Sequence, residues 1–244
     1  MTDALFYTGL AIAVIFILNY LVYRYQLEGV KYFTKPLVMI TIILWSAVAL
    51  DKPLTLAAIL LIIAQSFGFL GDVSLLIPKK GFIAGLAAFL IGHLFYIAVI
   101  IVIMLGVFPV GDRRWFRVLF LGSGLLAWVL GMVLFSRVFT PVLEAKGVGQ
   151  TFQSALRGYA FALSGLMAFS IALLAFMPGF AMAWLYVAIG GTLFFIADFL
   201  LAHDRFVSKN ARVHLVSWVC YHTAQISLAW GLVNLIRQVF VSRY

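Results

Sequence analysis

The chain has 244 residues, of which 65% are hydrophobic and 10% charged. Soluble domains are nearer half apolar and about one quarter charged, so an ordinary water-soluble fold is excluded. Lys and Arg number 17 against 8 Asp and Glu, but the basic residues lie between apolar runs. There they contact anionic lipid headgroups and set topology, so the expected partners are membrane lipids and not nucleic acid.

About twenty apolar residues cross a bilayer, and that template finds eight helices in chain order: 4–23, 36–50, 54–77, 81–105, 116–136, 155–176, 181–202 and 213–236. The runs are continuous, whereas barrel strands alternate over short segments. Helices also satisfy every backbone N–H and C=O without water. The expected class is therefore an all-α integral membrane protein of about eight transmembrane helices. With no linker or low-complexity stretch, 1–244 reads as one transmembrane helical domain. Pro36 suits the first turn of the second helix, where its missing N–H is not needed. Pro53, Pro78, Pro109 and Pro178 fall in connections or at helix edges, and Gly106 to Gly111 is a turn. The longer connections are Thr140 to Ser154 and His203 to Arg212. The first segment lacks a basic n-region and a small-residue cleavage site, so it reads as a retained helix. Cys220 has no second cysteine for an internal disulfide or a cysteine-based metal cluster.

Eight spans put both termini on one side. Connections 1–2, 3–4, 5–6 and 7–8 carry Arg24, Lys31, Lys35, Lys79, Lys80, Arg137, Lys146, Arg157, Arg205, Lys209 and Arg212. The other side carries Lys52, Arg113, Arg114, Arg117, Arg237 and Arg243. Eleven against six favours the first set in the cytoplasm and the termini outside. The expected location is a bacterial inner membrane before an endoplasmic reticulum. Phe69-Leu70-Gly71-Asp72 echoes Phe195-Ile196-Ala197-Asp198, each in the third helix of a four-helix half, as two parallel repeats would be.

Only Asp72 and Asp198 are acids inside apolar runs. Each sits five or six residues before its helix gives way to a charged connection, the one with Lys79-Lys80 or the one with Asp204-Arg205, hence about 8 Å inside the boundary. Helices three and seven run the same way, which places both carboxylates in one leaflet. Ionisable residues in spans are costly and tend to mark a working site. The plain alternative is an acid that snorkels to the headgroups or pairs with a nearby cation. Gly68, Gly71, Gly190, Gly191 and Ala197 are small enough for close helix approach, which would let the two acids share one cavity. Lys35, Gln65, His93 with Tyr96, Tyr159, Tyr221 and Gln225 lie near in depth as candidate substrate contacts. Tyr221 and Gln225 share a helix face. Gln65 and Gln225 have an alternative use as hydrogen-bond glue between helices. His203, His214 and His222 could join the acids around zinc, but no H-x-x-x-H pair exists, and neither a metal nor a cofactor is expected. No nucleophile elbow, P-loop or dinucleotide fingerprint is present.

Lys35-Pro36, Gly71-Asp72 with Leu75-Leu76, Gly92-His93, Asp198 with Leu200-Leu201, Arg205-Phe206, and Tyr221 with Gln225 resemble, in order from helix two to helix eight, the YhhN-like lysoplasmalogenase family. One departure is Ala197, where family members often carry Ser before the second Asp. The resemblance implies a hydrolase that takes a lysolipid substrate and cleaves the vinyl ether of lysoplasmalogens to a fatty aldehyde and a glycerophospho-headgroup. Protonating the β-carbon of an enol ether gives an oxocarbenium-like cation that water attacks. That chemistry wants a protonated acid and a carboxylate, as in glycosidases, and Asp72 with Asp198 would supply the pair, with the roles open between them. Lys35, and more weakly Arg205, would hold the phosphate. The competing reading is a small-solute or lipid transporter whose intramembrane aspartates relay protons.

Overall fold

The apolar runs form eight α-helices in the computed structural model, which describes residues 3–25, 27–50, 55–77, 81–107, 114–176 and 182–241. They are α1 Asp3–Arg24, α2 Glu28–Leu50, α3 Leu56–Leu75, α4 Gly81–Gly106, α5 Arg114–Ala145, α6 Gln150–Ala172, α7 Met182–Phe206 and α8 Ala211–Ile236. A 3₁₀ turn, Leu173–Phe176, extends α6, and a π turn, Arg237–Val241, extends α8. Among the described residues there is no strand, so the all-α membrane class expected from composition holds. Helices α2 to α8 are each long and apolar enough to cross a membrane, while α1 offers a shorter apolar stretch, Gly9–Arg24. Pro53, Pro78, Pro109 and Pro178 lie outside the described residues, as do Lys52, Lys79, Lys80, Arg113 and Arg243 and most of the turn after Gly106.

Three boundaries differ from expectation. Helix α2 starts at Glu28, so Pro36 lies in its interior and not in its first turn. A proline there removes one helical hydrogen bond, and tertiary contacts hold the residues before it: Thr34 donates to Asn19 of α1 at 2.9 Å, and Lys35 pairs with Asp72 of α3. Helix α5 runs on to Ala145 through Pro141, which shortens the Thr140 to Ser154 connection to 146–149. Its stop is a Schellman cap: Val148 N–H bonds to Leu143 C=O at 3.0 Å and Gly147 N–H to Glu144 C=O at 2.9 Å. That motif needs a left-handed residue, which Gly147 provides at φ 65°. Helix α7 likewise continues through Asp204 and Arg205, leaving 207–210 as the connection. Asn210 then caps α8 by accepting the Arg212 N–H at 2.9 Å.

By contacts the chain forms two compact units. The first comprises 1–106 and 229–244; the second is 107–228. In the first, α1 packs on α2, α2 on α3 and α3 on α4. The α3–α4 approach is close because glycines line it: a Cβ on Gly92 would stand 3.2 Å from the Ala64 carbonyl, and one on Gly85 3.2 Å from the Gly71 carbonyl. In the second, α5 packs on α6 and α6 on α7. Small residues set the spacing again: a Cβ on Gly124 would be 2.7 Å from the Ala168 carbonyl, and one on Gly190 3.0 Å from the Leu228 nitrogen on α8. In lipid no hydrophobic effect drives helices together, so backbone-to-backbone packing of this kind carries much of the association.

Candidate functional site

In the first unit the chemistry gathers on α3. Asp72, one turn before the helix ends, has no exposed surface, and its Oδ1 lies 3.0 Å from Nζ of Lys35, itself 8% exposed. A bare buried charge is very costly, and pairing offsets part of that cost. The proline after Lys35 and the Thr34 to Asn19 bond fix the α2 backbone that delivers the ammonium. Tyr23, near the end of α1, lies within electrostatic reach of both Lys35 and Asp72. Sequence reasoning passed over Tyr23. The usable signal was the short connection at 25–27, which brings Tyr23 and Lys35 to one end of an antiparallel helix pair. Two turns back along α3, Gln65 is fully buried and its Nε2 donates to Ser46 of α2 at 2.8 Å. This is the interhelical glue weighed from the sequence, and it leaves Gln65 Oε1 without a hydrogen-bond partner among the described residues. On α4, His93 and Tyr96 are both buried.

In the second unit the centre is Asp198 on α7, which is 5% exposed and accepts a hydrogen bond from the Tyr159 hydroxyl of α6. Such a bond is stronger when the carboxyl is ionised than when it is protonated. Asp198 lies about two turns before the end of α7, because that helix continues past the charged pair taken for a connection. Ala197, where the resemblance led one to expect Ser, offers its carbonyl to the hydroxyl of Ser217 on α8 at 2.7 Å. A serine on the neighbouring helix thus stands beside the second Asp, a residue the sequence reading did not single out. Tyr221 and Gln225 do share a face: Gln225 Nε2 donates to the Tyr221 hydroxyl at 3.3 Å. Tyr221 also meets Phe194 of α7 edge-on, with centroids 5.4 Å apart.

The three histidines considered for zinc are dispersed. His203 ends α7, His214 begins α8 with Nδ1 3.4 Å from Asp204 Oδ2, and His222 is buried with Nδ1 3.1 Å from the Trp218 carbonyl. Among the described residues no three His, Cys, Asp or Glu side chains converge. The structure thus joins Lys35 to Asp72, Tyr159 to Asp198, and Tyr221 to Gln225, each bond within one unit.

Long apolar helices with buried acids, each held by a polar side chain from another helix, define a multi-pass integral membrane protein with ionisable groups in its interior. The chain belongs to the YhhN family, a family of lysoplasmalogenases, whose model matches residues 30–232. The match begins just after the start of α2, ends inside α8, and takes in every candidate residue from Lys35 to Gln225. Comparison with curated proteins and with solved structures gave no match.

Proposed function

We propose that this protein hydrolyses the vinyl ether of lysoplasmalogens, 1-alkenyl-glycerophosphoethanolamine or -choline, with Asp72 and Asp198 as acid and base. One observation carries the reading: these are the only buried acids among the described residues, and each is engaged by a polar side chain from a neighbouring helix. In the reaction a carboxylic acid protonates the β-carbon of the enol ether. The resulting oxocarbenium ion adds water, whose proton passes to the other carboxylate. The hemiacetal so formed collapses to a fatty aldehyde and the glycerol hydroxyl. Proton transfer from positioned groups of this kind contributes about 10²–10⁴-fold.

Lys35 would serve the phosphate as well as Asp72, since an ammonium has three donors. Gln65, with an open carbonyl, and His93, Tyr159, Tyr221 and Gln225 would line the substrate's path. The test is aldehyde release by purified protein from a lysoplasmalogen and from its saturated ether analogue, whose β-carbon carries no double bond to accept a proton. We expect aldehyde from the vinyl ether alone, and a loss of at least 10²-fold in folded Asp72→Asn and Asp198→Asn proteins. Wild-type rates in both variants would sink the reading. Turnover of neither lipid, with proton-driven solute uptake into liposomes, would replace it with transport.

A further inference from the structure

Lys35 by itself does not satisfy Asp72. An ionised carboxyl has two oxygens with about four lone-pair sites, and an ammonium has three hydrogens to place. The 3.0 Å contact joins Oδ1 to Nζ. Asp72 has no exposed surface and Lys35 is 8% exposed, so bulk water does not supply the remaining bonds. Buried polar groups are nevertheless hydrogen-bonded almost without exception. A phenol suits the gap, because one hydroxyl can donate to a carboxylate and accept from an ammonium.

Helix α1 brings such a hydroxyl. Asn19 is fully buried and accepts the Thr34 hydroxyl at 2.9 Å, so the Asn19 face of α1 is the one turned to α2. Tyr23 is four residues on and shares that face. Helical side chains lean toward their own N-terminus. On α1 that tilts Tyr23 back from the 25–27 connection, and on the antiparallel α2 it tilts Lys35 toward it. The two side chains therefore converge although their backbones stand at different levels. Tyr23 is partly buried and lies within electrostatic reach of both Lys35 and Asp72. The second acid is served in the same manner, since Asp198 accepts the Tyr159 hydroxyl. The family match starts at residue 30, so Tyr23 falls outside it.

We propose that Tyr23 is the third member of the Lys35–Asp72 cluster: its hydroxyl donates to the Asp72 carboxylate beside the ammonium, which makes Tyr23 a positioning residue for that acid. The cluster stands without the hydrolase reading, whereas its effect on turnover rests on that reading, and two measurements separate them. Tyr23→Phe keeps the ring and removes the hydroxyl. Read by tryptophan fluorescence during heating in detergent, it should lower the melting temperature by about 3–10 °C, the loss of one bond to a charged group in a chain of this size. In the Lys35→Met/Asp72→Leu background the same change should do far less, because no charge is left to serve. Tyr25→Phe, at an exposed position on the way out of α1, should alter neither melting nor turnover. An equal shift in both backgrounds makes Tyr23 a packing residue and overturns the proposal. With a lysoplasmalogen as substrate, Tyr23→Phe should lower kcat about tenfold and leave KM unchanged. A raised KM at unchanged kcat would make Tyr23 a substrate contact and overturn the positioning role, as would two unchanged constants. If wild-type protein releases no aldehyde, the hydrolase reading falls and the melting comparison alone decides the cluster.

Discussion

The Lys35–Asp72 pair is the sharpest place to test how charge is held inside this chain. At 3.0 Å, with side chains 10% and 1% exposed, the attraction is about 5 kcal/mol at an effective dielectric of about 20. Desolvating two ions consumes most of that, so the intact pair adds little net stability. Removing one member is a different matter, because it strands the other charge. Lys35→Met or Asp72→Leu alone should therefore cost about 3–5 kcal/mol. In a chain of this size that lowers the melting temperature by about 6–20 °C. The double variant Lys35→Met/Asp72→Leu removes both charges and should recover most of the loss. Tryptophan fluorescence during heating in detergent reads all four proteins. If the double variant is as unstable as the sum of the two singles, the pair is not a coupled buried unit and the reasoning fails.

Two further outcomes are expected. Tyr159→Phe keeps the ring and removes the hydroxyl that Asp198 accepts; aldehyde release should fall about ten- to a hundredfold, with the melting temperature changing far less than in the Lys35 variant. Equal activity would remove Tyr159 from the site. Gly71→Ala would place a Cβ 2.5 Å from the Phe89 ring, which is 4% exposed and has little room to swing. It should destabilise by about 1–3 kcal/mol, and adding Phe89→Leu should relieve most of that in the same melting assay.

Composition and run length alone determined that this is an all-α membrane chain, because lipid admits only segments that satisfy their own backbone, and their residue count is set by bilayer thickness. The two acids were legible for the same reason: a carboxyl in an apolar run stands out against a solvent that excludes it. The shared face of Tyr221 and Gln225 followed from helical spacing. What only tertiary structure decided is which side chain answers each acid. Lys35 reaches Asp72 from α2 and Tyr159 reaches Asp198 from α6, pairings between residues 37 and 39 positions apart that no local period encodes. The same holds for Pro36, which the sequence reads as a helix start, and for Pro141, which it places in a connection: both lie inside continuous helices. At Pro36, contacts from α1 and α3 hold the backbone through the missing hydrogen bond. Long-range partners of this kind are invisible to a periodicity argument, and they turn two isolated carboxyls into held, chemically usable groups.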